Sequence, residues 1–314
     1  MGAFSAEHII LVGSLLLIAS ILASKTSFKL GIPTLILFLL IGMLAGSEGI
    51  GNIEFNDPYA AQLLGIIALN FILFSGGMDT RLESVKPILW QGISLSTLGV
   101  LFTAGTIGVF VYLVTDFSLL EGLLLGSIVS STDAAAVFSI LRTRSIGLKG
   151  RLRPLLELES GSNDPMAYVL MISFIYVLTH GDTRTIDVIF GFIRQMLIGA
   201  AFGYVFGRLM VMAINKVKLE IEGLYPVLIM AMIFFTYSTT DLVGGNGFLA
   251  VYLSALVLGN SNFIHKKSTV KFYDGQAWLM QIVMFLTLGL LVFPSRIPPV
   301  AVTGILTSLV LIFL

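Results

Sequence analysis

Long apolar runs alternate with short polar joints along the whole length of this 314-residue sequence. The runs are about 16 to 28 residues long, and a helix of roughly 20 apolar residues crosses the hydrocarbon core of a bilayer. Within lipid, a helix satisfies its own backbone hydrogen bonds. The pattern predicts an all-α polytopic membrane protein with eleven helices, over residues 7–24, 30–47, 59–78, 87–114, 119–141, 154–179, 186–214, 224–240, 246–262, 274–293 and 298–314.

The composition narrows the class of protein further. Hydrophobic residues make up 56% of the sequence and charged residues 11%, whereas about one-quarter of a soluble domain is charged. The net charge is zero, which argues against a nucleic-acid partner and leaves the lipid bilayer as the expected surroundings. There is no cysteine, so disulfides and thiolate metal ligands are excluded, and no cofactor is predicted.

Charged residues in the joints predict the orientation in the membrane. Lysine and arginine follow every second span, and the joint at 142–153 is the most basic. The joints between these carry mainly acids, such as Glu54, Asp57 and Asp116. Since basic loops stay in the cytoplasm, we expect a cell-membrane protein with its N-terminus outside. The first run, His8–Ala23, lacks a preceding basic region and is predicted to be retained.

Two pairs of spans resemble one another and suggest an internal repeat. The glycine-bounded stretch 31–46 is similar to 245–259, and Phe74–Gly77 is similar to Phe285–Gly289. The separations also agree, because Gly46 lies 31 residues before Gly77 while Gly259 lies 30 residues before Gly289. The paired spans run in opposite directions across the membrane, so the pattern predicts the inverted repeat of secondary transporters.

This repeat predicts one transmembrane domain over residues 1–314. The first repeat covers about 30–179, linker helices cover 186–240, and an incomplete second repeat covers 246–314. The sequence stops inside an apolar run without a turn or charged anchor. We therefore expect a truncated sequence, with the rest of the second repeat beyond Leu314.

Two carboxylates fall where a spanning helix should be apolar. Asp133 ends the polar stretch that begins at Ser127, and Asp164 lies beside Ser160, Ser162 and Asn163. An ionisable group at membrane depth is costly and indicates a functional site. The hydroxyl-rich stretch before Asp133 competes for backbone groups, so it is a plausible unwound point that exposes carbonyl oxygens and two half-helix ends.

The side chains around Asp164 predict a site for an alkali cation. Ser160 and Asp164 are four residues apart and share one helix face, while Pro165 leaves the carbonyl near Gly161 without its usual donor. Carboxylate, hydroxyl, amide and carbonyl oxygens are hard ligands that suit alkali cations. One carboxylate can hold a proton or a cation in turn, which couples the two. A purely structural role for Asp164 is the competing interpretation.

Other transport and enzyme classes fit these residues less well. A cation channel or channel-like component is the main alternative, but the inverted repeat and the lack of a filter-like motif oppose it. Paired aspartates also serve intramembrane proteolysis. The setting of Asp164 between an asparagine and a proline fits that chemistry poorly, so an enzyme is not predicted.

The motifs together resemble a known family. Thr132–Asp133, Glu159–Pro165, Gly247–Leu253 and Leu258–Asn260 look like the corresponding motifs of cation:proton antiporters, specifically the NhaP-like branch of sodium or potassium/proton antiporters. That resemblance implies an inverted-repeat fold of thirteen helices, about eleven of them present here, with broken core helices and a homodimeric assembly. It also implies exchange of K⁺ or Na⁺ for H⁺ by alternating access.

The resemblance further implies roles for single residues. Asp164 is expected to bind cation and proton, with Asp133, Thr132 and Ser160 assisting; Asn163 matches the usually electroneutral Asn-Asp branch. Glu159 matches an acid that pairs with a later arginine, expected just past Leu314. Supporting positions are Ser131, Ser162 and Pro165. Ser75 lies where some relatives carry an acid, so the resemblance does not decide whether K⁺ or Na⁺ is transported. An inactive, truncated antiporter is a further alternative.

Overall fold

The chain folds as a bundle of helices. The computed structural model describes residues 5–30, 32–133, 137, 141, 147–181 and 184–313. Eleven helices have both ends within these residues, and we number them in chain order. They are α1 (Ala6–Leu30), α2 (Thr34–Ala45), α3 (Pro58–Asp79), α4 (Leu82–Val114), α5 (Leu119–Val129), α6 (Leu152–Thr179), α7 (Thr185–Val217), α8 (Leu224–Leu242), α9 (Gly247–Gly259), α10 (Lys266–Leu291) and α11 (Ile297–Phe313).

The predicted class of an all-α polytopic membrane protein is confirmed. Six helices (α1, α3, α4, α7, α10 and α11) are long and apolar enough to cross a membrane. The core helices α2, α5 and α9 are apolar but have only 11 to 13 residues. Within the described residues the only bridge between extended segments is the isolated one between Gly46 and Ile53.

Some predicted helix boundaries are wrong. The span predicted at 119–141 is interrupted after Val129, where α5 ends, and its predicted end is not tested because most of residues 134–146 lie outside the described part of the chain. The span predicted at 274–293 begins at Lys266, because basic residues that we assigned to a joint form its first turns. A π-helical segment that the pattern did not predict interrupts α4 at Leu95–Gly99.

The larger of two compact units contains residues 73–133, 148–275 and 301–314. Within it α7 and α9 approach closely along a row of glycines spaced by four residues. A Cβ atom on Gly203 would lie 2.8 Å from the Ala250 carbonyl oxygen, and one on Gly199 would lie 2.7 Å from that of Asn246. Small residues allow membrane helices to approach in this way, and the contact holds the start of α9 beside α7.

The smaller unit contains the chain up to residue 72 together with residues 276–300. Its core joins Phe38 of α2 to Ile282 and Leu286 of α10. At one end of this unit, the Glu48 carboxylate accepts hydrogen bonds from the Ser295 backbone N–H at 2.7 Å and from its hydroxyl at 2.6 Å. These two bonds lower the pKa of the exposed Glu48 carboxyl below its ordinary value, because they stabilise the charged form.

Candidate functional site

The polar stretch after α5 is not helical. Ser130, the residue that ends α5, donates its hydroxyl to the Ser127 carbonyl at 2.8 Å, and Ser127 donates to the Leu124 carbonyl at 2.7 Å. These side chains occupy carbonyl oxygens of the last helical turns, as short polar residues do when they compete with the helix. Residues 131–133 then follow without regular secondary structure, in agreement with the unwound point predicted there.

Helix α6 faces this segment with a row of polar side chains. Asn163 is fully buried, and its amide nitrogen lies 2.7 Å from the Thr132 hydroxyl and 2.9 Å from a Glu159 carboxylate oxygen. The Thr132 hydroxyl in turn donates to Glu159, with 3.1 Å to each oxygen. Ser160 donates to the Thr132 carbonyl at 3.1 Å. Thr132 is therefore held by three residues on one face of α6.

Asp164 lies next to this network. Its carboxylate accepts a short hydrogen bond from the Ser131 hydroxyl, which also lies 3.4 Å from the Asn163 amide oxygen. Asp133 lies at the exposed end of the segment and within electrostatic range of Asp164, as does Glu159. The structure thus places Asp133 within electrostatic range of Asp164, and Ser131, one of the predicted supporting positions, is in direct contact with the Asp164 carboxylate.

Two of the predicted supporting residues face elsewhere. Ser162 lies toward Tyr252 of α9, and no described hydrogen bond joins it to Thr132 or Asp164. Between these side chains Gly161 leaves room for the Tyr252 ring, since a Cβ there would lie 2.5 Å from a ring carbon. Pro165 does not break α6, and its carbonyl accepts a hydrogen bond from the Asn246 amide at 2.9 Å.

Glu159 has partners within the described part of the chain. Its carboxylate receives the Thr132 hydroxyl and the Asn163 amide, and its pairing with an arginine beyond Leu314 stays a prediction. The neighbouring Glu157 forms an ion pair with Arg153 at 2.9 Å, as its position near the basic joint suggested. Glu159 therefore serves as an acceptor that fixes the donors on Thr132 and Asn163.

A cavity of about 350 Å³ reaches the site from the N-terminal end of α6. We call it the α4–α6 cavity; its walls include Thr132, Glu159 and Leu155, and the π-helical segment of α4 at Leu95–Gly99. Single π-helical turns occur frequently at functional sites in helices. The cavity therefore places open space directly against Thr132 and Glu159 of the network.

Sequence reasoning gave no role to Asn246, Tyr168 or Tyr237, and it named Phe248 only as part of the motif Gly247–Leu253; these four residues pack one turn beyond Asp164. The ring centroids of Tyr168 and Phe248 are 4.9 Å apart, and those of Tyr237 and Phe248 are 4.8 Å apart. One signal was available, because Tyr168 follows Asp164 by four residues and must share its face of α6. The other members come from distant parts of the sequence.

Comparison with known proteins places the chain in a family. Residues 13–314 match the transmembrane region of the sodium/hydrogen exchangers. The chain belongs to the sodium/hydrogen exchanger family. Members of this family are transporters rather than enzymes.

Individual members of the exchanger family support the assignment. The K⁺/H⁺ antiporter NhaP of Alkalimonas amylolytica is 45% identical over 302 residues, which are 95% of this chain and 52% of that protein. The K⁺/H⁺ antiporter NhaP2 of Shewanella sp. strain ANA-3 is 42% identical over 97% of this chain and 53% of its own length. The chain thus spans about half the length of these curated relatives.

The fold also matches a solved member of the exchanger family. The sodium proton antiporter MjNhaP1 from Methanocaldococcus jannaschii superposes with a TM-score of 0.83 and 24% identity, over 98% of this chain and 76% of that structure. The predicted NhaP-like antiporter fold is therefore confirmed.

Proposed function

We propose that the protein exchanges a monovalent cation, K⁺ or Na⁺, for H⁺ across the cell membrane, and that both ions bind in turn at Asp164. The observation that carries this proposal is the contact of the Asp164 carboxylate with the Ser131 hydroxyl, at the point where α5 ends within a polytopic bundle. The relatives, which are named as K⁺/H⁺ and sodium proton antiporters, support it.

The local chemistry favours competition between the two ions. Asp164, Ser131, Asp133 and the backbone of the non-helical segment offer hard oxygens to an alkali cation. A proton on Asp164 removes the negative charge that would hold that cation. If only the loaded forms alternate between the two sides, each proton that crosses is matched by a cation.

Asn163 supports an electroneutral cycle. Its amide holds Thr132 and Glu159 at 2.7 and 2.9 Å, and it cannot take up or release a proton. In this proposal Asp164 is the only group of the site whose charge changes during transport. One cation then replaces one proton, and the exchange rate is insensitive to membrane voltage.

We also propose that residues 1–314 form one transmembrane domain with the inverted repeat described above. In the smaller unit Gly42 of α2 packs against Gly289 of α10, and a Cβ added to Gly42 would lie 2.9 Å from the Gly289 Cα. In the larger unit, Gly77 of α3 packs against Ala255 of α9. An offset of 213 residues maps Gly42 onto Ala255 and Gly289 onto Gly76, next to Gly77. The two contacts are therefore counterparts under the repeat.

The remaining assignments concern surroundings and assembly. We propose a homodimer with the N-terminus of each chain outside the cell. The charge pattern of the joints supports the orientation. Helix α1 exposes large apolar side chains, among them Ile10, Leu11 and Leu22, and such a surface suits lipid or a second copy of the chain.

The test is a transport assay with the full-length protein in proteoliposomes. Addition of K⁺ or Na⁺ should change the internal pH for the wild type and for Asp116→Asn, which alters an exposed loop acid. Asp164→Asn should abolish the change while the protein remains folded. Equal exchange by Asp164→Asn would contradict the proposal. A current that flows without counter-transport of protons would indicate a channel instead.

A further inference from the structure

Three aromatic rings from different helices meet one turn beyond Asp164. Phe248 of α9 is 1% exposed, packs edge-on against Tyr168 of α6, and lies tilted against Tyr237 of α8. The hydroxyls of the two tyrosines interact with each other. Polar groups of this cluster therefore have partners inside the protein, and the rings fill the space between the three helices.

Asn246 closes the gap beside these rings. Its amide nitrogen donates to the Pro165 carbonyl at 2.9 Å, and its backbone N–H donates to the Gln195 carbonyl of α7, also at 2.9 Å. The side-chain oxygen accepts from the Leu249 backbone N–H at 3.0 Å. Asn246 is 2% exposed and thus joins α6, α7 and α9 without needing water to satisfy its polar atoms.

A second, larger cavity of about 850 Å³ lies on the far side of this cluster. We call it the α6–α7 cavity; its lining includes Ile172 and Tyr176 of α6, and Arg194 and Gln195 of α7. Ile172 is one helical turn past Tyr168, and Gln195 is bonded to Asn246. The cavity therefore ends where the aromatic rings and Asn246 begin.

The two cavities differ in their access to the site. The α4–α6 cavity reaches Thr132 and Glu159, which belong to the hydrogen-bond network beside Asp164. The α6–α7 cavity stops one turn beyond Tyr168. The α4–α6 cavity thus comes up to the network beside Asp164 from one end of α6, and the packed aromatic layer lies between that network and the α6–α7 cavity at the other end.

We propose that Tyr168, Tyr237, Phe248 and Asn246 form a proton-tight barrier between Asp164 and the α6–α7 cavity, and that this barrier keeps exchange coupled. This inference rests on the proposed antiport. A carboxyl that reached water on both sides at once would take up a proton from one side and release one to the other. Protons would then flow without a cation, so coupling requires a dry layer at this position.

The test measures proton leak in vesicles that contain no transported cation. Full-length protein is reconstituted in choline medium with thiocyanate as a permeant counter-anion, and an imposed pH gradient is followed with a trapped dye. Phe248→Ala removes the ring that contacts both tyrosines, and Phe248→Leu keeps most of its volume. Phe190→Ala is the matched control, because Phe190 is 72% exposed on α7.

We expect the wild type and Phe190→Ala to hold the gradient as well as empty vesicles do. Phe248→Ala should dissipate it roughly tenfold faster, the change produced by lowering a barrier by about 1.4 kcal/mol. Vesicles with Phe248→Leu should lose the gradient faster than wild-type vesicles but more slowly than those with Phe248→Ala. If Phe248→Ala does not fold, the comparison of Phe248→Leu with the wild type is the test. Combining either change with Asp164→Asn should stop the leak, because the protons pass through that carboxyl.

Failure of the barrier and failure of the antiport give different results. If the wild type shows no cation-driven proton movement, the proposed function falls, whatever the leak. If the wild type exchanges but the folded Phe248 variants remain proton-tight, the barrier is refuted while antiport stands. A leak that persists with Asp164→Asn would also refute it, since the protons would then bypass the site.

Discussion

Replacing the amide of Asn163 by a carboxyl perturbs the site with the smallest change of shape. Asn163 is fully buried, and its amide nitrogen is the donor to Thr132 at 2.7 Å and to Glu159 at 2.9 Å. Asn163→Asp removes that donor and brings a second acid into contact with Glu159. We therefore expect Asn163→Asp to lower the stability of the protein.

Two limits bound the size of this effect. Two unit charges about 4 Å apart repel by roughly 4 kcal/mol at the effective dielectric constant of about 20 that suits protein sites. If the new carboxyl keeps its proton, the repulsion vanishes, but one donor is still lost, at about 0.5–1.5 kcal/mol. The expected loss is about 1–4 kcal/mol. For a chain of 314 residues, that corresponds to a fall in Tm of roughly 2–6 °C.

Thermal unfolding of the purified protein in detergent at neutral pH measures this loss. Asn52→Asp is the matched control, because Asn52 is exposed in the loop between α2 and α3. Its Tm should stay within about 1 °C of the wild type, as for most surface substitutions. A wild-type Tm for Asn163→Asp would show that the amide does not fix Thr132 and Glu159.

Three further predictions test other parts of the fold. Gly42→Ala should destabilise the protein by about 1–3 kcal/mol through overpacking, as judged by thermal unfolding, whereas Gly65→Ala should not, since no atom lies within 4 Å of its added Cβ. Hydrogen bonds from Ser295 lower the pKa of the Glu48 carboxyl. The stabilisation that these bonds give is therefore complete above the ordinary pKa of a glutamate, about 4.3, and is lost as the pH falls through the lowered pKa. Amide-exchange protection of Ser295 should accordingly fall in acid, and Glu48→Gln should remove this dependence on pH. A cysteine introduced by Lys149→Cys into this cysteine-free sequence should react with a membrane-impermeant reagent only from the cytoplasmic side. Labelling from the outside would show that the orientation is opposite to the one proposed.

Features that depend on neighbouring residues were predictable from the sequence. Helix α6 spans Leu152–Thr179 where residues 154–179 were expected, because its apolar periodicity and its joints are local signals. The non-helical stretch after Val129 was also expected, since hydroxyl side chains compete for backbone groups. That Asp133 lies within electrostatic range of Asp164 could be expected, because both acids fall in consecutive spans at positions where a membrane helix should be apolar.

Features that depend on packing between distant segments were not predictable. The bond from Asn246 to Pro165 joins residues 81 positions apart, and no local pattern marks either as its partner. The early start of α10 at Lys266 was missed for a similar reason. That lysine donates to the Gly259 and Ser261 carbonyls at the end of α9, so a charge that suggested a joint instead begins a helix.

The dependence of exchange on both pH and cation concentration tests most directly whether one carboxylate binds both ions. The initial rate is measured in proteoliposomes at several concentrations of K⁺ or Na⁺, and at several pH values below the optimum. If cation and proton compete for Asp164, the half-saturating cation concentration should rise roughly tenfold for each unit of falling pH, because one proton displaces one cation. The maximal rate should remain unchanged. A half-saturating concentration that stays constant while the maximal rate falls would contradict competition at a single site.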